Sequence, residues 1–202
     1  MEKKRTRKEQ AQITKANIYN AAISLIESDG FENVSIEDIT TKANTAKGTF
    51  YLYFKSKQDL IYHTIHMYDE IAVASYEKVK DLPTFEEQLV AYMRFSNQAI
   101  EEIGEKILNA LLGHNLTAEK KFVTVEERAI YESFRNMIKK GFETGELSDE
   151  HEIDFYVEMI VIFVQGLDYF WCNAPEEFSY LAATERETAI FAKGLIAMYQ
   201  KA

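Results

Sequence analysis

Apolar residues recur every three or four positions along most of the chain, which is the spacing of amphipathic α-helices. In the first such segment the spacing is carried by Ile18, Ala22 and Ile26. The pattern predicts about nine helices, over residues 10–28, 36–43, 47–54, 58–79, 85–100, 105–112, 125–144, 150–173 and 178–200. Residues 113–124 interrupt the pattern and are predicted to form a loop.

Local end signals mark the first three predicted helices. Gly30 is well placed to end the first helix, because glycine readily adopts the backbone that terminates helices. Ser35 stands three positions before an acidic residue, Asp38, which indicates a capped helix start. Asn44 tolerates a left-handed turn, and Thr45 is expected to cap the helix that follows. A short helix, a brief turn and another short helix form the outline of a helix-turn-helix.

The composition favours an all-α fold. Eight Gly and two Pro among 202 residues leave little turn chemistry for a sheet-rich protein. Near residue 160 the longest apolar run is Met159–Val164, far shorter than the roughly 20 residues that cross a bilayer, so no membrane span is predicted. Cys172 is the one cysteine, and the N-terminus runs into polar residues rather than an apolar signal core. These features predict a cytoplasmic protein without an intramolecular disulfide.

The formal net charge of −10 argues against a nucleic-acid partner until it is divided along the chain. Residues 1–60 hold ten Lys and Arg against eight Asp and Glu, a net charge of +2. Residues 61–202 hold thirteen against twenty-five, a net charge of −12. We therefore predict three regions: a basic flexible arm at 1–9, a helix-turn-helix DNA-binding domain at 10–56 and a helical domain at 57–202.

The third predicted helix has two distinct faces. Phe50 and Phe54, four residues apart, lie on the side that would seal against the first two helices. Gly48, Thr49 and Leu52 lie roughly opposite, where glycine permits close approach to a duplex, threonine hydrogen-bonds and leucine contacts a thymine methyl group. Side chains suited to phosphates accompany them: Tyr51, Tyr53, Lys47 and Lys57. The alternative is a small helical subdomain with ordinary surface lysines and packed aromatic residues.

The stretch from Thr14 to Leu60, and above all Asn44 to Leu60, resembles the DNA-binding domain of the tetracycline-repressor (TetR) family. Positions that match the family pattern are Ile18, Ala21, Ala22, Leu25, Gly30, Phe31, Ile39, Ala43, Lys47, Gly48, Thr49, Tyr51, Tyr53, Phe54, Lys57 and Leu60. Two positions depart from it: Asn44 replaces the usual glycine, and Ala46 replaces a serine that would cap the recognition helix. The predicted DNA-contacting residues are Ser35, Thr45, Ala46, Lys47, Gly48, Thr49, Tyr51, Leu52, Tyr53 and Lys57.

The resemblance implies an all-α cytoplasmic homodimer that binds a palindromic operator, in most members as a repressor, and leaves DNA when a small effector binds the second domain. The segment 150–173 is apolar around much of its circumference and must be buried on several sides. With the last helix it would either fill a monomer core or form an intersubunit four-helix bundle, and the resemblance favours the bundle. The predicted interface residues are Val157, Val161, Val164, Phe170, Ala189, Leu195 and Ile196.

Aromatic and sulfur-bearing side chains of the second domain, with a few polar ones, suit a hydrophobic or aromatic effector. The predicted effector-contacting residues are Tyr92, Phe95, Asn109, His114, Tyr131, Phe134, Met159, Phe163 and Gln165. Most aromatic residues of such a domain are ordinary core. The acidic surface weakly favours a cationic effector, although solvated helix faces explain the same charge.

Other chemistry has little support in the sequence. His63, His66 and Glu70 could share one helix face, but this spacing often occurs by chance and such side chains on a surface helix are usually solvated, so no metal or cofactor is predicted. No nucleophile elbow, phosphate-cradling loop, paired cysteine motif or zinc-protease motif is present, so no enzyme activity is predicted. The alternative function is a helical ligand-binding or protein-binding module that does not bind an operator.

Overall fold

The structure, a computed structural model, describes residues 6–117 and 128–201. Over these residues it contains helices and no strand. The helices are α1 (Arg7–Asp29), α2 (Ile36–Lys42), α3 (Lys47–Tyr53), α4 (Lys57–Val79), α5 (Phe85–Ile103), α6 (Glu105–Thr117), α7 (Ala129–Thr144), α8 (Ile153–Asn173) and α9 (Tyr180–Tyr199). The all-α prediction is therefore confirmed for the described part of the chain.

Side-chain caps explain where several helices begin. Thr6 and Ser35 each form a reciprocal capping box, in which the hydroxyl accepts a bond from the backbone N–H three residues later. Gly30 ends α1 with φ +81°, and Asn44 makes the α2–α3 turn with φ +50°. The end signals read from Gly30, Ser35 and Asn44 are thus confirmed.

The structure corrects two predicted boundaries. α1 begins at Arg7, so the last three residues of the predicted flexible arm are helical, held by the capping box of Thr6 and Glu9. α6 continues to Thr117, so the predicted loop is wrong over residues 113–117. A glycine inside a helix costs only about 1 kcal/mol, which tertiary packing readily offsets at Gly113. The remainder of that loop, the start of the predicted helix at residue 125 and residues 1–5 lie outside the described residues.

α4 joins the two parts of the molecule. Near its start Leu60 and Ile61 are fully buried, and the hydroxyls of Tyr19 on α1 and Thr64 are 3.0 Å apart. Farther along, α4 packs against α5, α6 and α7, while α9 lies along α5. Buried apolar side chains form one continuous cluster from Ile18 to Leu195. The boundary predicted at residue 57 stays a prediction.

Among the described helices, α8 is long and apolar enough by length and composition to cross a membrane. The expectation of no such segment counted only unbroken apolar runs. Core helices of helical bundles have the same composition, and α8 packs against α6, α7 and α9 with Asp168 buried among them. Its composition is therefore weak evidence for a membrane span.

Candidate nucleic-acid interface and effector cavity

α3 has one buried face and one exposed face. Phe50 and Phe54 are fully buried with their ring centroids 5.6 Å apart, which fixes the helix against α1 and α2. On the other side Leu52 is 78% exposed and Tyr51 is 51% exposed. The exposed leucine and phenol lie side by side on this helix, so this surface is a candidate for contact with another molecule.

The start of α3 has no side-chain cap. Ala46 occupies the cap position, and the expected cap from Thr45 is wrong: the side chain of Thr45 makes no such bond, and its backbone N–H donates to the Thr40 carbonyl at 2.9 Å. Within the described residues, the backbone N–H groups of Lys47 and Gly48 therefore have no hydrogen-bond acceptor. Such N–H groups at an exposed helix start are donors for a phosphate.

The lysines around α3 are held in different ways. Lys47 pairs with Glu37, and this hydrogen bond raises the pKa of Lys47 and lowers that of Glu37. Lys57 donates to the carbonyls of Phe31 and Val34 at 2.6 and 2.9 Å, and its ammonium lies 4.2 Å from the Phe31 ring centroid. Because an ammonium has three N–H groups, Lys57 retains one for the predicted phosphate contact. Its main role is to fix the start of α4 to the segment after α1.

The other predicted DNA-contacting residues surround this face. Ala46 and Gly48 are exposed, and a Cβ placed on Gly48 would meet nothing within 4 Å. Thr45, Thr49 and Tyr53 are partly exposed. The Ser35 hydroxyl already donates to Asp38 Oδ2 at 2.6 Å as part of the α2 cap. The sequence missed the Lys47–Glu37 pair and the carbonyl contacts of Lys57, which join residues distant in the chain.

The predicted effector residues do not form one pocket. Tyr92 and Gln165 line an internal cavity of about 70 Å³ among α4, α5, α6, α7 and α8. Tyr131, Phe134 and Gln165 line a smaller cavity of about 30 Å³ that shares part of its wall with the first. The structure therefore brings together four of the nine predicted residues.

The remaining predicted effector residues lie elsewhere. Asn109 and His114 line an open groove of about 510 Å³ between α6 and the segment after α1. The Phe95 ring lies beneath Lys78 Nζ, 4.7 Å away, and Phe163 stacks on Phe191 with centroids 4.4 Å apart. Met159 is partly buried against the core. None of the last three lines either internal cavity.

Sequence reasoning missed five polar residues that line the internal cavity: Tyr68, Ser96, Asn97, Arg128 and Asp168. Of these, Asp168 is only 6% exposed. Burial raises the pKa of Asp168 to about 6, against the lowering effect of a hydrogen bond from Tyr180. An acidic residue inside an otherwise apolar helix was the signal available in the sequence.

The predicted dimer surface needs correction. Val157, Val164 and Leu195 are buried within the protomer, so they belong to its own core rather than to an exposed face. Val161, Ala189 and Ile196 are partly buried, whereas Phe170 is 61% exposed. Other exposed large apolar side chains on α8 and α9 are Ile162, Tyr169, Ile190 and Met198. Gly166 and Gly194, both exposed, have open space where a Cβ would lie.

No group of three metal-ligating side chains is found in the described part of the chain. The His63 ring meets the Phe54 ring edge-on, with centroids 5.1 Å apart, and lies 6.2 Å from the His66 ring. Burial, with nearby Lys15, lowers the pKa of His63. The spacing of His63, His66 and Glu70 therefore does not produce a ligand set here.

The N-terminal part of the chain is similar in sequence to known proteins. Residues 18–63 match the family described as bacterial regulatory proteins, tetR family. A segment of 44 residues is 57% identical to the uncharacterized HTH-type transcriptional regulator YvdT of Bacillus subtilis (strain 168). That match covers 22% of this chain and 23% of the relative, so the chain matches about a quarter of the length of this curated relative.

Two solved structures share the fold over nearly the whole chain. The transcriptional regulator FadR of Bacillus subtilis, in complex with stearoyl-CoA, superposes with a TM-score of 0.67 and 19% identity, covering 88% of this chain and 96% of its own. A TetR-family regulator of Mesorhizobium loti gives 0.66 and 20% identity, covering 97% and 100%. At 19% and 20% identity, the similarity to these two structures shows a shared fold alone.

Proposed function

We propose that the chain is a member of the tetR family of bacterial regulatory proteins, which its residues 18–63 match, and that it is a ligand-responsive transcriptional repressor of the cytoplasm. A homodimer binds a palindromic operator with its two α3 helices in successive major grooves. A small hydrophobic effector, bound in the second domain, releases the operator. The relatives reported above are named as regulators rather than as enzymes.

The exposed face of α3 is the observation that carries the proposal. Leu52 and Tyr51 extend into solvent, Gly48 leaves room for a backbone, and two N–H groups at the helix start lack acceptors. Lys42, Lys47 and Lys55 flank this face, and residues 39–58 contain no acid. The face combines groups that read base edges with groups that hold phosphates.

A gel shift of the DNA upstream of the protein's own gene tests the proposal. We expect a salt-dependent shift that is abolished by the double variant Tyr51→Ala with Lys47→Ala, at unchanged helical content. Lys139→Ala, an exposed lysine on α7, is the control that removes one positive charge far from α3. Absence of any shift, or equal affinity of the double variant, would refute operator binding by this face.

The exposed faces of α8 and α9 support the homodimer. Ile162, Tyr169 and Phe170 on α8 and Ile190 on α9 are each more than 60% exposed in the protomer. Exposed Gly166 and Gly194 would let two helices approach closely. Burying this apolar surface against a second copy removes it from water, which drives association of subunits.

Light scattering of the double variant Ile162→Asp with Ile190→Asp tests the dimer. We expect a monomer at concentrations where the parent protein is a dimer, because two carboxylates on each protomer would be buried without partners. Val73→Asp, on α4 and 51% exposed, is the matched control and should remain dimeric. A dimeric double variant would place the interface elsewhere.

α6 offers a route from the effector to the DNA-binding domain. Leu108 and Leu111 of α6 line the internal cavity. From the same helix, Lys106 Nζ donates to the carbonyls of Glu27 and Ser28 at the end of α1, at 2.8 and 2.7 Å. An effector that displaces α6 would therefore move α1 and change the separation of the two α3 helices. Nearly complete release requires the effector to favour the released state by about 5 kcal/mol.

A module without operator binding is the competing function. It predicts an effector that raises the melting temperature and no DNA that shifts at low salt. Thermal-shift measurements against lipophilic, cationic and metal ligands, beside the gel shift, separate the two functions. A protein that shifts operator DNA and releases it with one of these ligands excludes the module.

A further inference from the structure

The internal cavity among α4, α5, α6, α7 and α8 has an apolar wall and a polar corner. Apolar side chains from four of these helices, including Met93, Ile100 and Leu108, form most of the wall. Tyr68 and Asp168 lie at the polar corner. A volume of about 70 Å³ exceeds what one water molecule needs, so the cavity has room for a small organic group.

Asp168 is a buried carboxyl with one hydrogen bond. Its Oδ1 accepts from the Tyr180 hydroxyl at 2.6 Å, and within the described residues no hydrogen bond reaches Oδ2. The Tyr180 ring is itself fixed by stacking on Trp171, with centroids 4.2 Å apart. A carboxyl that served only to hold Tyr180 would not need to border a cavity with its second oxygen unpaired, because that arrangement costs free energy.

A tyrosine hydroxyl of the same cavity also lacks a hydrogen bond. Tyr68 is 8% exposed, and its hydroxyl has no hydrogen-bond partner among the described residues. Burial, and after it the charge of Asp168, raises the pKa of Tyr68 well above its ordinary value. The polar corner therefore holds a carboxyl oxygen of Asp168 and the Tyr68 hydroxyl, both without a hydrogen bond among the described residues, beside one cavity, which is typical of a ligand site.

The charge of the cavity is that of Asp168. Among the described residues that line it, Arg128 is the one basic side chain. Its Nε and Nη2 both lie 3.0 Å from Asp69 Oδ1, so its positive charge is balanced by a different carboxylate. A ligand at the polar corner consequently meets a net negative group inside low-dielectric surroundings.

We propose that this cavity binds the ammonium head group of an amphipathic amine, with Asp168 as its counter-ion, Tyr68 as a second acceptor and the apolar wall around the hydrocarbon. This inference rests on the proposed function, in which the second domain binds an effector. It names the chemical class of that effector. An ammonium satisfies both unused acceptors and neutralises the buried carboxylate, whereas an alcohol does only the first and a carboxylate repels Asp168.

Three six-carbon probes with matched chains test the head group. Calorimetric titration of the full-length protein with n-hexylammonium, 1-hexanol and hexanoate compares a cation, a neutral donor and an anion. We expect hexylammonium to bind at least about tenfold more tightly than hexanol, and hexanoate not to bind, because one charge-assisted hydrogen bond contributes about that factor. Equal affinity for hexanol, or no binding of hexylammonium at millimolar concentration, overturns the proposal.

Variants at Asp168 and Tyr68 test the positions. Asp168→Asn keeps the shape and the acceptor for Tyr180, so it preserves the fold while removing the charge. We expect it to weaken hexylammonium binding by about 10-fold to 100-fold and to leave hexanol unchanged. Tyr68→Phe should weaken hexylammonium binding only several-fold. Asp154→Asn, an exposed acid on the same helix, is the control that should bind as the parent does. Unchanged binding by Asp168→Asn overturns the proposal.

The gel shift separates this inference from the proposed function. If the protein shifts its operator but shows no preference for the amine, the head-group proposal fails and the repressor stands. If hexylammonium binds through Asp168 and no DNA shifts, the repressor fails and the amine site stands. Release of the operator by hexylammonium in the parent protein, and not in Asp168→Asn, supports both.

Discussion

α3 and α8 place their polar groups in opposite environments. α3 exposes Tyr51 and Leu52 to solvent, while Asp168 of α8 is buried in the interior. The exposed face of α3 costs little folding free energy, because its polar groups form hydrogen bonds with water when no DNA is bound. A buried ligand site costs free energy in every molecule, because its carboxyl is desolvated whether or not a ligand is bound. Stability measurements should therefore distinguish the two regions clearly.

The largest expected contrast lies within α3 itself. Phe50→Ala removes a fully buried ring and should lower the free energy of unfolding by about 3 to 5 kcal/mol. Leu52→Ala, two residues away, should change it by less than about 0.5 kcal/mol and weaken operator binding instead. Urea unfolding and gel shifts of the two variants measure both effects. Similar stability losses would mean that the Leu52 face is packed rather than free for DNA.

At α8, replacing the buried carboxyl of Asp168 is expected to raise the free energy of unfolding, whereas Phe50→Ala lowers it. Because the pKa of Asp168 is raised from 3.8 to about 6 on folding, the folded state binds the proton more tightly than the unfolded state. This contribution therefore lowers stability as the pH rises from about 4 to about 6, and the full cost, about 3 kcal/mol as an upper bound, applies above that range. Asp168→Asn should not carry this cost, because the asparagine side chain does not ionise.

Urea unfolding at pH 5 and pH 7.5 measures this difference. We expect Asp168→Asn to be more stable than the parent at pH 7.5 and to lose part of that advantage at pH 5. The other groups around Asp168 are Tyr68, Tyr180 and Cys172, whose pKa values are all raised by burial, so none of them loses a proton in this window. A less stable variant at pH 7.5 would show that the carboxylate stabilises the fold.

Features that depend on residues close together in the chain could be predicted from the sequence. The ends of α1 and α2 and the turn before α3 depend on Gly30, Ser35 and Asn44 acting on their immediate neighbours, and all three were predicted correctly. The two faces of α3 follow from helical spacing alone, so the burial of Phe50 and Phe54 was also predictable.

The effector cavity was only partly predictable, because its wall depends on how five helices pack together. Tyr92 and Gln165 were predicted, but aromatic spacing did not exclude Phe163, which stacks on Phe191 of α9 instead. The role of Asp168 required knowledge of Tyr180 and Tyr68, on two other helices. Helical periodicity identifies the inward face of a helix but not the residues it meets there.

Lys57 and Lys55 both follow α3 but differ in their contacts: Lys57 donates to two backbone carbonyls, whereas the Lys55 side chain is exposed. Lys57→Met should lower the free energy of unfolding by about 1 to 3 kcal/mol, because the Phe31 and Val34 carbonyls lose their charged donor. Lys55→Ala, at an exposed side chain, should leave stability unchanged and reduce the salt dependence of operator binding by about one phosphate contact. Urea unfolding and salt titrations of operator affinity measure both. Unchanged stability of Lys57→Met would contradict its structural role.

The smallest expected effect concerns the acid beside α3. Glu37 pairs with Lys47 in the free protein, so a phosphate must displace its carboxylate to engage the lysine. Glu37→Gln removes this competitor and one negative charge near the phosphate path, so we expect roughly threefold tighter operator binding at low salt and no gain at high salt. Both side chains are exposed, so the melting temperature should not change. Glu77→Gln, in an exposed pair with Lys80 at the end of α4, is the matched control. If Glu37→Gln binds the operator no more tightly than this control, Lys47 does not contact the phosphate backbone. The DNA contacts of the exposed face of α3 would then come from Tyr51, Leu52 and the backbone N–H groups at the start of the helix.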